Sequence, residues 1–220
     1  MEYASYRFTG EELAPAVVKL GDRETPVWMQ QRWNTGEYSI YVNKNGCGHC
    51  CCAMALMLSG IDMDPHREYS LCRELWGAPV DDGPRRQGNF QSVVGIVKIL
   101  RHFGVGATYH GVMDREKAIA HILAALGEGK PVIFESHPRP DNPNNPFSTG
   151  EHWVMAIGFT EDGEILIANS STRACADGIQ LVDSDTVKEA LYLGAAPEDD
   201  YTWGEWRDEF KGGVGYIIVG

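Results

Sequence analysis

Residues 45–60 read NGCGHCCCAMALMLSG and hold four of the chain's six cysteines within six positions. Three chemistries suit such a cluster: a metal site, a redox dithiol, or one nucleophilic thiol with the others as packing. A metal needs ligands that converge. Cys50, Cys51 and Cys52 are consecutive, and successive side chains on a helix diverge by about 100°. Cys47 with His49 or Cys50 would give one ligand pair, but no second pair with zinc-ribbon spacing follows. No metal and no cofactor are therefore expected. For redox chemistry, Cys47-Gly48-His49-Cys50 has the C-x-x-C spacing, but the loop Asn43-Lys44-Asn45-Gly46 stands where a thioredoxin-like chain runs a strand directly into the motif. The third chemistry needs only Cys47 at a helix start, where backbone N–H groups and the helix dipole favour thiolate over thiol. Gly48 leaves room beside it, and Cys51 and Cys52 read as small buried packing residues.

A thiol nucleophile needs a base, and the base needs an orienting partner. His152 follows a long loop, HPRPDNPNNPFSTG (137–150), and directly precedes the apolar run WVMAIGF (153–159). Asn169 ends the next apolar run, EILIAN (164–169). Glu161-Asp162-Gly163-Glu164 between them is a hairpin turn, so the two runs pair antiparallel. That pairing brings His152 and Asn169 to the same end of the ladder. His137 is a second, weaker candidate for the base. His49 lies on the cysteine helix, and His66, His102, His110 and His121 fall in helical or turn settings that suit solvated or capping roles.

Helices positioning these residues are expected at 47–59, ending at Gly60, and at 67–76. A third is capped by Asn89 and runs through Val93, Val97 and Leu100 to Gly104; a fourth is capped by Asp114; a fifth covers 185–193. Strands are expected at 131–136, 153–159, 164–169 and 215–220. Helices first and antiparallel strands later indicate an α+β fold rather than a doubly wound parallel sheet. The 220 residues suit one main domain. A net charge of −12 repels phosphate backbones, so nucleic acid is not an expected partner. No run approaches a membrane span, and residues 1–24 do not read as a signal peptide. With cysteines crowded rather than spread as in a disulfide framework, a cytoplasmic location is expected.

The order Cys47, His152, Asn169, with the cysteine opening a buried helix, resembles papain-like cysteine peptidases. The local motifs are most similar to the bacterial branch related to the double-glycine leader peptidases of bacteriocin exporters. The matching pieces are Pro26-Val27-Trp28-Met29-Gln30, Trp33, Tyr38, Gly46-Cys47-Gly48 with Ala53-Met54-Ala55-Leu56, residues 147–154, and Ile167-Ala168-Asn169. The resemblance implies a papain-like α+β fold, a central buried helix carrying the nucleophile against an antiparallel sheet. It implies a catalytic domain over 26–220 preceded by an extension over 1–25. It also implies Cys47 as nucleophile, His152 as base, Asn169 as its orienting partner and Gln30, with Gln31 beside it, as the oxyanion-hole side chain. The expected function is a cysteine-dependent hydrolase, a peptidase or isopeptidase acting on a peptide or amide through a thiol acyl-enzyme. Alternatives are an acyltransferase on the same fold, a non-catalytic peptide-binding module, and a thiol-disulfide oxidoreductase.

Overall fold

The computed structural model describes residues 16–20, 23–28, 46–76, 93–111, 114–137, 145–171, 178–192 and 215–220. The chain begins with a hairpin of β1 (Ala16–Leu20) and β2 (Arg23–Val27). Then come α1 (Cys47–Leu58), α2 (Pro65–Trp76), α3 (Val93–His102), β3 (Ala107–Gly111) and α4 (Arg115–Gly127). The second half holds β4 (Val132–Ser136), β5 (His152–Phe159), β6 (Ile165–Ala168), β7 (Ile179–Val182), α5 (Ser184–Ala190) and β8 (Gly215–Val219). Six strands form one antiparallel sheet in the order β3-β8-β4-β5-β6-β7. The fold is α+β, as expected.

Helices cover both faces of this sheet. Ile133, Trp153, Met155, Ile157, Leu166 and Ile217 join one core with residues of α1, α2 and α3. Their strand neighbours Val132, Phe134, Val154, Ala156, Ile167 and Ile218 join a second core with α4 and α5. Side chains alternate across a strand, so a sheet buried on both faces reads as continuous apolar sequence. This is why β4, β5, β6 and β8 are legible as short apolar runs. α1 is buried from Gly48 to Leu56, which explains its apolar residues all round.

Local chemistry sets the element ends. Asp114 caps α4 by accepting from the Glu116 and Lys117 backbone N–H groups. Gly163, at φ 81°, makes the β5–β6 turn possible, with its N–H donating to the Thr160 carbonyl at 3.0 Å. The fifth helix starts one residue earlier than expected, capped by Asp183, and is shorter because Leu191 turns to extended backbone (φ −61°, ψ 126°) and ends it at Ala190. Four strands have no counterpart in the sequence reading: β1, β2, β3 and β7. β3 and β7 are the sheet's edges, each paired on one side, and each mixes polar with apolar residues. The Asn89 cap and the loop 81–89 lie outside the described residues. Among the described residues, no helix is long and apolar enough to cross a membrane.

Candidate active site

α1 begins at Cys47 with Gly46 as its N-cap and no side-chain cap. Cys47 is the only partly exposed cysteine among the described residues; Cys50, Cys51, Cys52 and Cys72 are buried free thiols. Its sulfur receives hydrogen bonds from backbone N–H groups of Cys47 and Gly48 at the helix start and of Trp153 on β5. Trp153 directly follows His152, so the first turn of α1 abuts the first residues of β5.

Register fixes the rest. Ser136 of β4 pairs with His152, and its hydroxyl donates to the His152 carbonyl at 3.1 Å. The β5–β6 hairpin brings His152 and Asn169 together as expected, with His152 Nε2 and Asn169 Oδ1 2.8 Å apart. Both are buried. The orientation of the Asn169 amide follows from its other partners. Its Nδ2 donates to the Phe147 carbonyl at 3.0 Å and to Gln180 Oε1 at 2.6 Å. Its Oδ1 accepts from the Ser171 backbone N–H at 2.9 Å. A flipped amide would face N–H against N–H and oxygen against oxygen. Oδ1 therefore faces the imidazole, Nε2 carries the proton it donates, and Nδ1 keeps the lone pair.

Gln180 on β7 is a residue the sequence reading missed. Besides accepting from Asn169, it donates through Nε2 to the Pro146 carbonyl at 2.8 Å. The end of the long loop is thereby clamped to the sheet. Asn145 Oδ1 accepts from the Phe147 N–H at 2.9 Å, and Phe147 packs edge-on against Phe134 at 5.7 Å. Nothing in a four-residue strand with one glutamine marks it in sequence as part of a site.

Electrostatics modify one expectation. A helix start favours a thiolate, but here burial outweighs the backbone donors. Desolvation, with Glu135 nearby adding to it, pushes the Cys47 thiol up to about 11. Burial likewise holds His152 below its ordinary value of 6.5, the Asn169 bond only partly offsetting it. Both shifts favour the neutral forms, a thiol at Cys47 and an imidazole at His152. Glu135 sits one residue before Ser136 on β4. His137 lies between Glu135 Oε1, at 3.2 Å, and the exposed Glu151 Oε1, at 3.7 Å. That is where the second base candidate is held. Gln30 and Gln31 lie outside the described residues. The segment leading to them is anchored on α1: Val27 and Trp28 are buried, and Trp28 Nε1 donates to Met57 Sδ at 3.2 Å.

No curated protein matches the chain. A family model, described as Peptidase_C39 like family, matches residues 24–195. That span includes the hairpin strand β2, the cysteine helix, the His152–Asn169 ladder and Gln180. The chain therefore belongs to the Peptidase_C39 like family, a papain-like family of the cysteine-peptidase type.

Proposed function

We propose that this chain is a peptidase or isopeptidase in which Cys47 attacks an amide carbonyl while His152, oriented by Asn169, moves the proton. The carrying observation is the Asn169 amide. Three hydrogen bonds, to Phe147, Gln180 and Ser171, orient it so that its oxygen faces His152 Nε2 at 2.8 Å, which leaves Nδ1 as the basic nitrogen.

With a neutral resting pair, proton transfer accompanies attack. Cys47 Sγ bonds to the carbonyl carbon as its proton passes to His152 Nδ1. The oxygen that becomes negative is met by backbone N–H at the start of α1 and, by the family resemblance, by the Gln30 side chain. The imidazolium then gives its proton to the leaving amine. Water, deprotonated by His152, releases the acid and restores the thiol. A second amine in place of water would make the same site an acyltransferase. One observation favours a non-catalytic binding module instead: the raised Cys47 thiol, which is a poor nucleophile until a base acts on it. Four buried cysteines kept as free thiols accord with a reducing, cytoplasmic location.

The test is digestion of a peptide library in heavy-oxygen water, read by mass spectrometry, for wild type, Cys47→Ala and His152→Ala. New carboxyl termini carrying the label in wild type alone support hydrolysis. Products joined to an added amine would mark transfer. Peptides bound but left intact by wild type and Cys47→Ala alike would establish the binding module and defeat the proposal.

A further inference from the structure

A second set of chemistry-bearing side chains lies between α1 and α2, apart from the residues of the acyl-transfer chemistry. His49 and Cys52 are three apart on α1, and Glu68 and Cys72 are four apart on α2. These are the spacings at which side chains share a helix face. The two faces meet. His49 Nδ1 contacts Glu68 Oε2, and Cys72 Sγ donates to Glu68 Oε1 at 3.3 Å. Cys52, one turn along α1 from His49, lies beside Glu68 and Cys72. One donor atom each from His49, Glu68 and Cys72 lie within 4.8 Å of one another. All four residues are at most 1% exposed.

Placing a carboxylate, an imidazole and two thiols in a core is not the stable default. Buried polar clusters are frequently no better than well-packed apolar residues of similar volume. We propose that His49, Glu68 and Cys72, with Cys52 as fourth donor, form a structural zinc site that pins α2 to the nucleophile helix. The donor chemistry selects the ion. One nitrogen, one carboxylate oxygen and two sulfurs suit zinc, whereas calcium and magnesium take oxygen ligands. Four protein ligands leave no open position, so the role is structural rather than catalytic. Binding converts both thiols to thiolates and releases two protons, and the bivalent charge compensates what burial disfavours. The edge contact of Tyr69 with His49, at 5.0 Å between ring centroids, helps hold that ring in place. The sequence reading sought ligand pairs along one stretch of chain, and this set draws on two helices.

The site is independent of the proposed acyl-transfer activity, and so is its test. The full-length chain is purified reduced as Cys47→Ala, which removes the partly exposed thiol as a competing ligand. It is loaded with zinc, dialysed, and assayed for metal by plasma mass spectrometry; a parallel sample is loaded with cobalt(II). One zinc per chain should be retained. Cobalt should give tetrahedral visible bands and a sulfur-to-cobalt charge-transfer band with the intensity of two thiolates. Cys51→Ser should leave both signals unchanged. Cys72→Ser and Cys52→Ser should each halve the charge-transfer intensity and release zinc on dialysis. Cobalt spectra without thiolate bands, or zinc no higher than trace in the folded parent, overturn the proposal. So does retention that is indifferent to Cys72 and Cys52. If those serine variants fail to fold, the parent's cobalt spectrum still decides, because its intensity counts the thiolates.

Discussion

Replacing Gln180 by leucine isolates the network that aims the base. Leucine matches glutamine roughly in bulk but can neither accept from Asn169 nor donate to Pro146. Two bonds vanish, of 2.6 Å and 2.8 Å. Asn169 Nδ2 keeps the Phe147 carbonyl, so its loss is about one neutral hydrogen bond, ~1 kcal/mol. The Pro146 carbonyl loses its donor in a partly buried setting. An orphaned acceptor costs ~1–3 kcal/mol when dry, and water access places this one at the low end. The sum is about 2–3 kcal/mol, which for a chain of this length lowers Tm by roughly 4–12 °C. The catalytic effect should be smaller. Ser171 and Phe147 still oppose an Asn169 flip, so the imidazole keeps its tautomer and loses only rigidity, a loss of about tenfold or less in kcat. Asn169→Ala removes the acceptor itself and should lower kcat further. The assays are thermal unfolding by circular dichroism and turnover of a peptide found in the library digest, with KM and kcat separated. A Tm within about a degree of wild type would refute the reasoning, because the two bonds would then carry no energy. So would a kcat loss equal to that of Asn169→Ala at unchanged Tm, because Gln180 would then act on the substrate directly.

Three further outcomes follow from burial. Cys47, raised from 9.0 to about 11, should have about 100-fold less thiolate near neutral pH than a free thiol. Part of that deficit returns because a more basic thiolate is a better nucleophile, so iodoacetamide labelling, mapped by mass spectrometry, should be about tenfold slower than for a free thiol. Glu135→Gln should speed it, and fast labelling at about pH 5 would mean that a thiolate pair pre-exists. Burial lowers the folded-state pKa of His152, His66 and His110 below 6.5. The unfolded chain therefore binds protons first, and stability present above 6.5 falls as pH drops through that value toward the lower folded pKa values. Urea midpoints should follow this direction, and His152→Gln should flatten the slope. Gly215→Ala would drive a Cβ into the His110 carbonyl, with Gly111 Cα 2.9 Å away, on the rigid β3–β8 ladder. Destabilisation of about 1–3 kcal/mol is expected by chemical unfolding.

What sequence could and could not reveal divides along the direction of the chain. α1 is legible because it is buried from Gly48 to Leu56 and so is apolar almost all round, and β5 and β6 are legible because the sheet is covered on both faces. His152 and Asn169 are found because a short turn at residues 161–163 pairs their strands, and such pairing is local information. The same logic fails for β7. It is an edge strand separated from β6 by residues 169–178, too many in sequence to mark a hairpin turn, and Gln180 reaches Asn169 only through that pairing. It fails again for Glu68 and Cys72, which meet His49 only once α2 has packed on α1. Helix-start chemistry is a local inference of the same kind. It points to Cys47, but the thiol's protonation state belongs to the packing that arrives later from β4 and β5. A dipole at one helix end contributes about 0.3–1 kcal/mol, and one pKa unit corresponds to 1.36 kcal/mol. Desolvation that raises a thiol by about two units therefore outweighs the helix that carries it, and in the proposed mechanism the base would act as the thiol attacks.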